Sequence, residues 1–252
     1  MSTFFYVVIF IFGLIVGSFL NCVIYRLEEG KSFLKGRSFC PHCKHKLIWQ
    51  DLIPIFSFLI LRGKCRYCQK PISLQYPLVE LATGIIFLSI VLFNIQYSIF
   101  HILIACFLIV IFVYDLKHYL IPDKIIYPAI VIALIFNFQF LIVNEFSIFK
   151  FSILSALGAA AFFLLIVLIS RGKWMGVGDI KLAFLMGLIL GFPNILVALF
   201  LAFFIGAIMG IGLIATGKKT LKSEVPFGPF LVAGTFLALF WGQDVINWYF
   251  NF

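Results

Sequence analysis

Long apolar runs alternate along this chain with short polar stretches. The runs fall at about 4–25, 78–96, 98–115, 122–143, 150–170, 180–192, 194–217 and 226–244. A helix needs about 20 apolar residues to cross a hydrocarbon core of about 30 Å, and most of the runs approach that length. The sixth is short and predicts either a helix tilted into the protein interior or a different division at Pro193. The pattern therefore predicts an all-α polytopic membrane protein with about eight transmembrane helices. The first run follows Met1-Ser2-Thr3 with no basic residue ahead of it and is far longer than the apolar core of a signal peptide. It reads as a retained helix with its first residues outside.

Composition agrees with the pattern. The chain is 63% hydrophobic and only 12% charged over 252 residues, whereas soluble domains are about half apolar and about a quarter charged. The net charge of +9 is informative through its placement. With the N-terminus outside and spans alternating, the inside loops are 26–77, 116–124, 171–181 and 218–225, and of 19 basic residues only Lys150 falls elsewhere. The opposite orientation would translocate nearly all of them, so the positive-inside rule sets the topology. The basic residues read as topology and lipid determinants, with the bilayer as partner and no nucleic acid.

The loop 26–77 is the one large polar segment, and it holds four of the six cysteines. Cys40-Pro41-His42-Cys43 and Cys65-Arg66-Tyr67-Cys68 are two CxxC knuckles separated by 21 residues. Two such turns complete a tetrahedral sulfur shell for zinc, and the metal supplies folding energy that so small a loop lacks. Two disulfides are the competing reading, disfavoured in a cytosolic loop. His42 and His45 are alternative ligands, although Cys40, Cys43, Cys65 and Cys68 suffice. A small cytoplasmic zinc-binding module between the first and second helices is expected. Cys22 and Cys106, within apolar runs, read as small buried hydrophobes.

Ten acidic residues are few for this length, so those at the membrane surface stand out. Asp115 ends the third run in Val113-Tyr114-Asp115-Leu116-Lys117, and Asp123 follows Ile121-Pro122. Asp179 opens the sixth run in Gly176-Val177-Gly178-Asp179-Ile180-Lys181. The charge argument puts all three at the cytoplasmic side. Two such carboxylates in contact share a proton, and one then activates water while the other polarises a carbonyl. Gly176 and Gly178 allow close backbone approach beside Asp179. The plainer reading makes Asp179 and Asp123 helix caps and Asp115 a solvated helix end. Helix dipoles would favour an ionised Asp179 at a helix start and a protonated Asp115 at a helix end.

Several motifs occur together and in order. They are Gly17-Ser18-Phe19-Leu20-Asn21 through Tyr25-Arg26-Leu27, both CxxC knuckles, and Tyr76-Pro77-Leu78-Val79-Glu80. Asp115 with Pro122-Asp123, the Gly176–Leu182 string and Pro226-Phe227-Gly228-Pro229-Phe230 complete the set. With them the chain resembles the bacterial type IV prepilin peptidases, membrane aspartic proteases of the GxGD class. The resemblance implies cleavage of a basic leader from prepilins, pseudopilins or competence pilins at the cytoplasmic face of the bacterial cell membrane. It implies Asp115 and Asp179 as the catalytic pair, with Gly176, Gly178, Lys181 and Asp123 supporting the active-site loop. Many members also N-methylate the new terminus with S-adenosylmethionine, an activity that accompanies the cysteine-bearing loop.

The expected division is a first transmembrane helix at 1–25, a cytoplasmic four-cysteine module at 26–77 associated with methyl transfer, and a peptidase domain at 78–252. Glu28, Glu29 and Glu80 are candidates for contacting a basic leader. Two rivals belong to other classes. A proton-coupled transporter would need acids continuing across the membrane. A non-enzymatic assembly scaffold for pili or secretion would make both aspartates dispensable.

Overall fold

The computed structural model describes residues 3–31, 36–142, 146–217 and 225–250. Among these the regular structure is helical, with two isolated bridges, Phe39–Lys46 and Lys64–Pro71, and no strand. The helices are α1 (Thr3–Glu28), α2 (Phe56–Ile60), α3 (Gln75–Leu92), α4 (Ser98–His118), α5 (Asp123–Ile142), α6 (Phe146–Ser170), α7 (Val177–Leu190), α8 (Asn194–Ala215) and α9 (Gly228–Phe250). Each apolar run has become one helix. Seven of them, all but α2 and α7, are long and apolar enough to cross a membrane. The chain is a multi-pass membrane protein.

α7 accounts for the short sixth run. Its 14 residues extend about 21 Å at 1.5 Å per residue, less than a bilayer core. Leu182, Ala183, Leu185 and Met186 are fully buried, and α7 packs against α5, α6, α8 and α9. A helix enclosed by protein need not match the lipid thickness, whereas α8 exposes Phe200, Phe204 and Ile211 along its length. Gly191 closes α7 at a φ of +62°, and α8 starts after Pro193, so the division falls where that proline stands.

The chain forms two compact units, residues 1–110 and 111–252, whose boundary lies within α4. The first contains the four-cysteine module and the α1–α3 pair. Gly17 lets these two helices approach, because a Cβ there would lie 2.7 Å from the Glu80 Cα. Small residues at such crossings permit the backbone contact that drives helix association in lipid. The side-chain amide of buried Asn21 then donates across the crossing to the Tyr76 carbonyl at 3.0 Å. Cys22 and Cys106 are only half-buried, which corrects their reading as buried hydrophobes. The second unit holds the last turns of α4 and helices α5 to α9. The loop residues 218–224, including Lys218, Lys219 and Lys222, lie outside the described residues, as do Lys35 and its neighbours at 32–34.

Candidate active site and the four-cysteine module

In the second unit, three chain segments converge on the candidate aspartates. α4 runs one turn further than its apolar pattern, to His118, so Asp115 lies inside the helix and is buried. The chain reverses through Tyr119 and reaches α5 at Asp123, placing Ile121 between the two helices. Gly178 packs on that isoleucine, and a Cβ at 178 would lie 3.1 Å from the Ile121 Cβ. Gly228, first residue of α9, completes the arrangement. A Cβ there would meet Asp115 Oδ2 at 2.5 Å and Ile121 Cδ1 at 3.5 Å. Two glycines thus bring the starts of α7 and α9 against the Asp115–Ile121 corner, where any side chain would intrude.

Asp179 is the third residue of α7 and is buried. Its Oδ2 accepts the Gly176 N–H at 3.2 Å, while the Asp179 N–H donates to the Gly176 carbonyl at 3.2 Å. Gly176 stands at the N-cap and Asp179 two residues inside the helix start, so Asp179 is not the N-cap itself, but its bond back to Gly176 closes the first turn and fixes its carboxylate. The Gly228 N–H also reaches the Asp115 carboxylate. Because each carboxylate accepts one backbone N–H, the helix ends do not separate their roles cleanly. Asp115 and Asp179 are both buried and reach the same Ile121 corner, Asp115 through Gly228 and Asp179 through its neighbour Gly178.

Asp123 and Lys181 stand apart from the buried pair. Lys181 Nζ contacts Asp123 Oδ1 at 2.6 Å and lies 4.7 Å above the Tyr127 ring, tying the start of α5 to the first turn of α7. Asp123 is exposed and sits within the first turn of α5, not ahead of it as a cap. Gly228 was legible as part of a motif, but nothing local in the sequence tells that it abuts Asp115.

The four-cysteine module lies in the first unit. Its knuckles are the same turn built twice. The Cys40 N–H donates to the His45 carbonyl and the Cys65 N–H to the Lys70 carbonyl, each at 2.9 Å. Lys44 and Gln69 take the same φ of +59°. Asp51 secures the second knuckle by pairing with Arg66 at 2.7 Å, and His45 stacks on Tyr67 with ring centres 3.7 Å apart. The Sγ atoms of Cys40, Cys43, Cys65 and Cys68 all lie within 4.8 Å of one another, and neither His42 nor His45 joins them. A tetrahedral zinc with bonds of about 2.3 Å requires sulfurs about 3.8 Å apart, and Cys40 and Cys68 are separated by 3.9 Å. The four cysteines are free and fit a metal. Burial raises the Cys40 thiol, but the Cys43 and His42 backbone groups together with the Cys65 and Cys43 thiols outweigh it and bring it down to about 7. The Lys70 backbone lowers Cys68, yet burial and the neighbouring sulfurs push it up to about 11.

Buried Glu80 is engaged. Its Oε2 accepts the Ile55 N–H at 2.8 Å, tying the module to α3. The side chain named above as a candidate for contacting a basic leader thus has a structural partner within the first unit. Arg26, at the end of α1, donates to the Gly36 carbonyl at 2.8 Å.

Comparison with known proteins places these features. Residues 11–94 match the bacterial peptidase A24 N-terminal domain and residues 102–211 the type IV leader peptidase family. A prepilin leader peptidase/N-methyltransferase of Legionella pneumophila is 34% identical, over 99% of this chain and 96% of its own. Its counterpart in Bacillus subtilis is also 34% identical, over 96% of each chain. That of Aeromonas hydrophila is 32% identical, over 96% of this chain and 92% of its own. No solved structure matches the chain. Near-complete coverage in both directions, with both family regions in order, means that the chain belongs to the type IV leader peptidase family.

Proposed function

We propose that this chain is a membrane-embedded aspartic endopeptidase that removes the leader from prepilins or pseudopilins at the cytoplasmic face of the cell membrane. The observation that carries the reading is the pair of buried carboxylates, Asp115 and Asp179, delivered by separate helices to the corner around Ile121. The relatives, named prepilin leader peptidases, supply the substrate class. The near-uniform placement of this chain's basic residues in the loops assigned inside supports the cytoplasmic face.

In this reading, water lies between the two carboxyl groups. The ionised carboxylate takes a proton from it as its oxygen attacks the scissile carbonyl. The protonated carboxyl donates to the carbonyl oxygen, giving a neutral tetrahedral diol. Proton return to the amide nitrogen breaks the C–N bond, leaving a carboxylic acid on the leader and an amine on the mature chain. One water is consumed and both carboxyls recover their starting proton count. Gly176 and Gly178 hold Asp179 close to the corner, Gly228 seats Asp115, and the Asp123–Lys181 pair steadies the α5 and α7 starts.

Cys40, Cys43, Cys65 and Cys68 would hold a structural zinc that stabilises the module and takes no part in hydrolysis. N-methylation of the new terminus is the second activity carried by the relatives' names. Co-expression with a pilin-like substrate, followed by mass analysis of the product, tests both activities. A shortened chain reports cleavage, and an added methyl group reports transfer. An unshortened substrate overturns the proposal.

A further inference from the structure

We infer that the segment Trp49–Ile60 of the four-cysteine module is an interfacial membrane anchor, seated at the boundary between lipid headgroups and acyl chains. This goes beyond the peptidase reading and stands whether or not the chain cleaves anything. Trp49, Leu52, Ile53, Phe56, Leu59 and Ile60 are all exposed, from 38% at Ile53 to 75% at Ile60. No residue between 49 and 60 is buried, so the segment is not the module's core. A contiguous apolar patch of this kind marks an interaction surface rather than ordinary scatter.

The bilayer is the occupant because of where the segment is held. Glu80 is the sixth residue of α3, about 7–8 Å along the helix from its first residue at 1.5 Å per residue. All 18 residues of α3 reach only about 27 Å, so its first turns are needed to span the hydrocarbon. Glu80 Oε2 accepts the N–H of Ile55, immediately before α2. Even a side chain reaching straight back along the helix leaves Ile55 alongside the first two turns of α3. Leu74 and Leu78 at that end of α3 are themselves exposed, so apolar side chains are presented at this level by α3 as well. Interfacial helices bury their apolar face by about 5–10 Å, which matches that level.

Charge agrees with this seat. Residues 36–74 carry seven basic residues against one acid, Asp51. Exposed Arg62 and Lys64 directly follow the patch, where they would meet anionic headgroups. Trp49, with an apolar ring and a polar N–H, is the residue type that favours this boundary.

The test uses the full chain in vesicles of phosphatidylglycerol and phosphatidylcholine, with Trp174, Trp241 and Trp248 replaced by Phe so that Trp49 is the sole tryptophan. Acyl-chain-brominated lipid should quench Trp49 emission by more than half, while aqueous iodide should quench it several-fold less. F56E/I60E, with helix content unchanged, should reverse that order. If the double variant loses helix content, the quenching pattern of the parent decides alone. Quenching by iodide but not by bromine would put the segment in water and overturn the inference. Shielding from both quenchers would mean a protein cover, from elsewhere in the chain or a second copy, and would overturn it equally.

Discussion

Asp179 has two duties, and substitutions separate them. An asparagine keeps an oxygen able to accept the Gly176 N–H but cannot take up a proton at working pH. Asp179→Asn should therefore insert and fold while cleaving at least about 100-fold more slowly, the lower bound for general acid–base catalysis. Asp179→Ala should match that loss and also weaken the start of α7 by about 1 kcal/mol. Asp115→Asn should abolish cleavage to the same degree. A Cβ on Gly228 would meet Asp115 Oδ2 at 2.5 Å, so Gly228→Ala should impair cleavage while membrane insertion and helix content are retained. Prepilin processing, scored beside circular dichroism of each purified variant, checks all four. Of these residues the aspartates were legible in sequence, because acids are scarce and costly near a membrane. Gly228 as a seat for Asp115 was not, because that contact joins positions 113 residues apart in the chain and depends on how the α9 start meets α4.

Among the elements, apolar run length identified every long helix. It could not distinguish a helix facing lipid from one enclosed by protein. α7 is the case in point, since its hydropathy resembles a short span while burial of Leu182, Leu185 and Met186 explains its length. The last turn of α4 was also missed, because Leu116, Lys117 and His118 extend the helix without extending the apolar run. Lys181 and Asp123 link the starts of α7 and α5 at 2.6 Å, but Asp123 is exposed. Surface pairs contribute about 0–1 kcal/mol, so Lys181→Ala and Asp123→Asn should each slow cleavage less than about tenfold. The double exchange K181D/D123K should recover part of either loss if the pair acts by positioning; kcat and KM of the three variants would decide. In the module, Cys65→Ser should remove the bound metal in purified protein, read by elemental analysis against the parent. Equal metal content in both would refute the four-sulfur site. The CxxC spacing announced that site, but not that Glu80, an apparent candidate for substrate contact, is committed to the Ile55 N–H.

At the scale of the whole molecule, the chain forms two compact units, and charge placement proposes which loops face the cytoplasm. The orientation predicts that Cys43, exposed on its knuckle, reacts after metal removal with an impermeant thiol reagent only from the cytoplasmic side. Labelling in inverted membrane vesicles but not in intact cells would agree, and the reverse pattern would invert the topology. Function is a further step, because the same helices would serve a transporter or a scaffold; family membership favours the peptidase, and the chemistry of the site is what an experiment can test. The most direct measurement is the N-terminal sequence and mass of a pilin-like substrate co-expressed with this chain, with Asp115→Asn and with Asp179→Asn. The account predicts a substrate shortened by its leader with the parent and full-length with either variant. A full-length substrate with the parent, or normal shortening with either variant, would contradict it.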